Sequence, residues 1–322
     1  MLWSRVGALG LSSPEGGLIL GLCFWHCVGV WGEVGDFSAC PSFFYRGHPP
    51  RGQGGEGHCL RGLGGQGYTQ ICQRYKNRHR FASLYHRQDR TPLYSAYLLT
   101  MGTSKRPPAV WKYEPQLASS RLSPEMQSFP KKGSVDQNVW ESQAVPKDYT
   151  GSNYTKGHLN PSLHHSTRED QKSTFTLTNV VPQRQGSNGG PWAVLEREVR
   201  ARLGAYCTGP AYVVTGVLPY ATGRWIANRV AVPEYLWTTY CCPAFNSTLP
   251  PALRPFFPTS AAIGRNDPLS DEDIVPVDPK AKRSIRGYDV RLMPLETMEA
   301  YLQERLGMAV RVFQNGCPRD MR

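Results

Sequence analysis

Several signatures are missing from this 322-residue chain, and each absence narrows what it can be. No two of its nine cysteines form a Cys-x-x-Cys pair, which argues against a sulfur-ligated zinc centre. No apolar run reaches the roughly 20 residues a membrane-spanning helix needs. Leu18 to Trp31 falls short of that length, so no stable membrane span is expected. No internal repeat is visible, which argues against a solenoid. Acidic residues are scarce, with 25 Asp and Glu against 37 Lys and Arg, giving a net charge of +12 and a pI near 9.3. That imbalance favours polyanionic partners, because Lys and Arg displace counterions when they meet phosphates.

What is present begins with an export-like N-terminus. Arg5 precedes the apolar run, and small residues follow near Gly32 and Gly35, so residues 1–32 are expected to be a signal peptide. Residues 33–70 form an N-terminal segment carrying a flexible Gly/Pro/Arg-rich tract, Gly47 to Gly67, too poor in apolar residues to fold alone. Residues 71–322 are expected to be one domain, ample for its own core. Cys40, Cys72, Cys207, Cys241, Cys242 and Cys317 would allow three disulfides of open connectivity in an oxidising compartment, with Cys59 left over. A secreted protein is the expectation.

Period-two and β-branched runs predict strands at 81–85, 93–99, 174–178, 211–217, 229–233 and 235–241. Pro191 to Leu203 reads as a helix stopped by Gly204, and Leu295 to Leu306 as one stopped by Gly307. Strands dominate, with helices set between them, which predicts an α+β fold.

The chemistry concentrates in Lys156-Gly157-His158-Leu159-Asn160-Pro161, then Thr178-Asn179-Val180-Val181-Pro182-Gln183, then Asn188-Gly189-Gly190-Pro191-Trp192. Imidazole titrates near neutrality, so His158 is the candidate general base. Asn188 offers an amide oxygen, a ligand type suited to a hard cation such as Mg²⁺ that keeps most of its waters. Asn188, Trp192, Glu196 and Arg200 are spaced by four, which would stack them along one helix face. Lys156, Arg200 and Arg106 are candidate cations for a phosphate. Asn179 and Gln183 read as scaffold. His164 and His165 complete no zinc set. Lys280, Lys282, Arg283 and Arg286 form a basic cluster suited either to solvent or to a nucleic-acid backbone.

These segments resemble the DNA/RNA non-specific endonuclease family, whose motif is Asp-Arg-Gly-His, a Thr/Ser-Asn-x-x-Pro-Gln run, and an Asn-x-Gly-x-Trp-x-x-Leu-Glu helix. The chain carries Thr155-Lys156-Gly157-His158, Thr178 to Gln183 and Asn188 to Glu196 at those places. The resemblance implies a ββα-metal (His-Me finger) fold with a mainly antiparallel central sheet flanked by helices. It implies a nuclease of little sequence preference acting on DNA or RNA, with one Mg²⁺ (or Mn²⁺) ion and a 5′-phosphate product. By the same resemblance His158 is the base, Asn188 the metal ligand, and Glu196 a holder of metal-bound water. Arg200 would stabilise the reacting phosphate, and Arg106 would contact substrate. The family's Asp and Arg are Thr155 and Lys156 here, so a weakened member serving as a nucleic-acid or protein binding module is the alternative. Asn153-Tyr154-Thr155 and Asn246-Ser247-Thr248 are glycosylation sequons.

Overall fold

In the computed structural model, residues 34–53, 67–102, 105–131, 133–271 and 273–318 are described. The expected signal segment, Cys59 and most of the Gly-rich tract lie outside them. The β-branched and aromatic runs assemble into one eight-stranded sheet. Its strands, in spatial order, are Val34–Gly35, Tyr68–Tyr75, Arg78–His86, Thr91–Leu99, Ala211–Pro219, Pro233–Cys241, Thr259–Arg265 and Val290–Met293. Every neighbouring pair is antiparallel.

Alternation of side chains splits this sheet into two buried faces. Val213 lies opposite Tyr97 and Tyr240, and all three join one core cluster. Val214, the next residue, lies opposite Ala96, and these two join the other cluster. The same alternation explains the adjacent cysteines. Cys241 belongs to one face and pairs with Cys317, while Cys242 belongs to the other and pairs with Cys207. Cys40 and Cys72 form the third bridge.

Each face is covered by a helix. Pro191–Tyr206 buries Trp192, Leu195, Val199 and Leu203, an i, i+3, i+4 stripe, against the first. Leu295–Leu306 buries Leu295, Met298 and Leu302 against the second, and ends where Gly307 turns left-handed at φ 67°. Truncating Trp192, 2% exposed, would cost about 3–5 kcal/mol. Phe37, Phe43, Phe44 and Tyr45 also pack into the second face, and Arg51–Gln53 pairs with Ala309–Arg311. Residues 34–53 are therefore part of the same packed body as the residues after 71.

Three local expectations differ from the structure. Residues 229–233 are not one strand; Val230–Ala231 pairs with Trp225–Ile226 in a small separate sheet, and Pro233 opens the next strand of the large one. Residues 174–178 are not a strand; Leu177–Asn179 is a 3-10 turn. Thr174, Thr176 and Thr178 are as buried as Phe175 and Leu177, so their alternation does not divide core from solvent. Gly204 does not stop its helix, which runs on to Tyr206. A Cβ at Gly204 would meet only the end of the exposed Met101 side chain.

Candidate active site

The site is built on a separate two-stranded hairpin, Thr155–His158 with Val180–Gln183, packed on the face that carries the long helix. Leu159 and Val181 anchor it in that core. Gly157 faces the Gln183 side chain so closely that a Cβ would sit 2.5 Å from Gln183 Cβ and overlap Oε1. Only glycine lets the two strands close at that point, which sets His158 in register with Val180. Asn179 staples the hairpin from behind. Its Nδ2 donates to the Asn160 and Thr174 carbonyls, and its Oδ1 accepts from Asn160 N and Ser95 Oγ.

After the hairpin, the short turn Gln185–Asn188 leads into Pro191–Tyr206. The two strands and this helix make a ββα unit. Asn188 thus sits on the preceding turn and not on the long helix, so the four-residue spacing does not describe one continuous face. Ala193, Glu196, Arg197 and Arg200 line a cavity of about 430 Å³, while Trp192 points into the core. The helix repeat puts 193, 196, 197 and 200 on one side and 192, 195, 199 and 203 on the other.

Six of the site residues expected from sequence line that cavity together: Arg106, Lys156, His158, Asn188, Glu196 and Arg200. Arg197, Gln185, Gln171, Ser162 and His165 join them unforeseen. Arg197 was legible in principle as the i+4 neighbour of Ala193, once the buried stripe is phased on Trp192. Four of the lining residues are cations and one is a carboxylic acid, so the cavity suits an anion.

His158 lies between two aromatic rings, Trp111 at 5.6 Å and Phe175 at 5.2 Å, the latter edge-on at 89°. Arg106 stacks over Phe175 at 5.3 Å. Nε2 of His158 is shielded and has no hydrogen-bond partner in the protein. Burial, with Arg106 adding to it, pushes the imidazole pKa down to about 3, so the ring is neutral at pH 7. Glu196 moves the other way. Burial lifts its carboxyl to about 8 despite Arg106 and Arg197. An acid and a base driven apart by their surroundings are a mark of functional sites.

The amide of Asn188 is held in one orientation. Its Nδ2 donates to Thr155 Oγ1 at 2.8 Å, and that hydroxyl spends its proton on the Gln183 carbonyl at 2.8 Å. The amide oxygen, Asn188 Oδ1, is left for the cavity that Asn188 lines. Lys156 lies over the rings of Trp111, at 5.3 Å, and Tyr149, at 4.9 Å, and burial lowers its pKa. Arg200 donates through Nη2 to the Gly102 carbonyl at 2.6 Å.

The other two histidines are committed to structure. His164 Nε2 donates to the Glu196 carbonyl, which leaves Nδ1 to accept from Tyr97. His165 Nε2 meets Asn160 Oδ1 at 2.7 Å. Among the described residues no group of three or more His, Cys, Asp and Glu could hold a metal. Asn153 and Asn246 are both exposed.

A hairpin and helix presenting a histidine and an asparagine to a basic cavity, set on an antiparallel sheet, define a ββα-metal nuclease fold of the α+β class. The profile of the DNA/RNA non-specific endonuclease family matches residues 64–290, and the chain belongs to that family. It is 32% identical over 215 residues to the human endonuclease domain-containing 1 protein, covering 65% of this chain and 40% of that protein. It is 27% identical over 161 residues to a nuclease from Nostoc, covering 49% and 53% respectively. Among solved structures, that of the EndoG/EndoGI complex aligns with a TM-score of 0.43 and 21% identity, over 71% of this chain and 81% of that one. The chain thus spans about 40% of the length of its endonuclease domain-containing 1 relatives.

Proposed function

We propose that this protein is a secreted, metal-dependent endonuclease that hydrolyses phosphodiester bonds of DNA or RNA with little sequence preference. The observation that carries the reading is the cavity that a neutral His158 lines together with Asn188 and four cations. His158 takes a proton from water as the water oxygen bonds to phosphorus. The P–O3′ bond breaks, the departing oxygen takes a proton from solvent to become a 3′-hydroxyl, and a 5′-phosphate remains on the other fragment. Arg200, Arg106 and Arg197 hold the phosphate and offset its growing charge. Lys156 adds charge without bidentate geometry.

The donor set fits one hard divalent ion such as Mg²⁺. Asn188 Oδ1 is the oxygen left over once Thr155 has taken Nδ2, and Glu196 stands in the same cavity to hold water around the ion. A bound ion would supply charge stabilisation at the leaving oxygen. Three disulfides support an oxidising compartment, and exposed Asn246 and Asn153 are the candidate glycan sites.

The test is cleavage of plasmid and RNA by the parent and by Asn188→Ala, in Mg²⁺ and in EDTA, with end-group analysis. Cleavage with 5′-phosphate ends, lost in EDTA and in the variant, is expected. Activity in EDTA would overturn the metal assignment. A second reading, a weakened member that chiefly binds, is favoured by Lys156, whose ammonium is drawn onto two aromatic rings. Lys156→Arg should raise the rate at saturating Mg²⁺ if the lysine is what weakens the site, and an unchanged rate would remove that support.

A further inference from the structure

The basic cluster at 280–286 sits against the wall of the cavity. Gln185, Asn188 and Gly189 line that wall, and Gly186 and Gly190 form its outer side. A Cβ at Gly186 would lie 2.5 Å from the Tyr288 ring and 3.0 Å from the Ser284 carbonyl. A Cβ at Gly190 would lie 3.0 Å from Ile285 Cγ2. Gly186 therefore lets the loop pack against the turn that ends at Asn188, while Gly190 also has to clear the Gly186 carbonyl. The loop is a formed structure. Ile285 N and Arg286 N both donate to the Lys282 carbonyl at 2.9 Å, and the Arg286 guanidinium donates to the Ala281 carbonyl.

Lys280, Lys282, Arg283 and Arg286 are all exposed, and among the described residues no salt bridge engages any of them. Of the acidic residues around it, Asp271, Glu272, Asp273 and Asp278 precede the cluster and Asp289 follows it, so none interleaves with it. Arg184, at the near end of the same turn, stacks on Tyr154 at 4.3 Å and adds a fifth cation to this side. On the helix side the cavity is bounded by Arg106, Arg197 and Arg200. Positive charge thus continues from the cavity across the 185–190 turn and onto the loop.

We infer that the 280–286 loop is a second phosphate-binding strip that grips the backbone of a long polynucleotide beside the bond held in the cavity. The inference rests on the nuclease reading of that cavity, and it assigns the substrate class as a polymer whose flanking phosphates contribute to binding. The cavity itself holds the reacting phosphate. The loop adds sequence-independent affinity through counterion release.

The experiment compares parent, a loop variant (Lys280→Gln, Lys282→Gln, Arg283→Gln, Arg286→Gln), and a control (Arg46→Gln, Arg51→Gln) on the sheet's opposite face. Substrates are a trinucleotide and a duplex of about 30 base pairs, with KM, kcat and duplex binding by fluorescence anisotropy read across a salt series. Each lost phosphate contact should flatten the log affinity against log salt slope by about 0.9, so the loop variant should lose roughly 2–4 in slope and weaken duplex binding at least about tenfold. Its kcat on both substrates and its KM on the trinucleotide should stay at parent values. The control should keep at least about three quarters of the parent slope. Equal slopes in parent and loop variant, or an equal loss in the control, would overturn the strip. If the parent cleaves neither substrate, the nuclease reading fails, and the anisotropy slopes still decide the strip by the same criterion.

Discussion

Replacing Thr155 with valine keeps the shape of the side chain and removes its hydroxyl. In the folded protein that hydroxyl links three things: the Gln183 carbonyl at the end of the hairpin, the Thr155 strand itself, and the Asn188 amide. The valine leaves Asn188 Nδ2 and the Gln183 carbonyl without this partner. Unsatisfied groups cost about 1–3 kcal/mol each when buried, and these are partly reached by water, so a stability loss of about 1–2 kcal/mol is expected. The functional loss should be larger. Without Thr155 the amide is free to rotate, and a displacement of about 1 Å at a reacting site can cost about 100-fold in rate. The assay is plasmid cleavage against Mg²⁺ concentration, with thermal melting alongside. Thr155→Val should cut kcat about 10–100-fold and raise the Mg²⁺ needed for half-maximal rate, and Thr155→Ser should restore both. A valine variant that melts lower yet cleaves at the parent rate, with unchanged Mg²⁺ dependence, would refute the idea that Thr155 sets the Asn188 amide.

His164 is buried and held neutral, its pKa pushed down to about 3 by burial, whereas in the unfolded chain it titrates near 6.5. Below that value the unfolded state binds the extra proton, so the contribution to stability is intact above about 6.5 and is lost progressively as pH falls toward the folded value. The melting temperature of the parent should therefore drop between about pH 6.5 and 5 more steeply than that of His164→Gln, and identical slopes would count against this origin. Cys241 and Cys317 close a loop of 76 residues across one face of the sheet. Their replacement by serine should cost about 4 kcal/mol, measured by denaturant unfolding, and a loss below about 1 kcal/mol would show that the bridge constrains little.

Where the sequence carries a local physical cause, the structure could be read from it in advance. The 295–306 helix with its left-handed Gly307 and the strands at 93–99 and 211–217 follow from period and turn chemistry, whereas the gathering of His158, Asn188, Glu196 and Arg200 in one cavity was implied only by the family resemblance. Where a residue answers to a distant partner, local pattern misleads. Thr176 and Thr178 alternate with apolar residues, but their hydroxyls face the buried Glu114 carboxylate and Gln73. Gly204 looked like a helix stop, but the helix runs on through it to Tyr206. Trp192 fits the four-residue spacing of Asn188 and Glu196, yet Asn188 belongs to the turn before Gly189 and Gly190, and on the helix itself Trp192 falls in the buried stripe with Leu195, Val199 and Leu203. Arg197 lay hidden for the same reason. The setting of Lys156 against Trp111 and Tyr149 depends on segments far away in sequence, and no spacing rule reaches it.

The central claim is that His158 takes the proton from the attacking water. Single-turnover cleavage of an end-labelled duplex by the parent and by His158→Ala, at saturating Mg²⁺ and with duplex affinity measured in parallel, tests it most directly. A rate lower by about 10²–10⁴-fold in the variant, with affinity within about twofold of the parent, is the predicted result. A variant that binds and cleaves at the parent rate would contradict it.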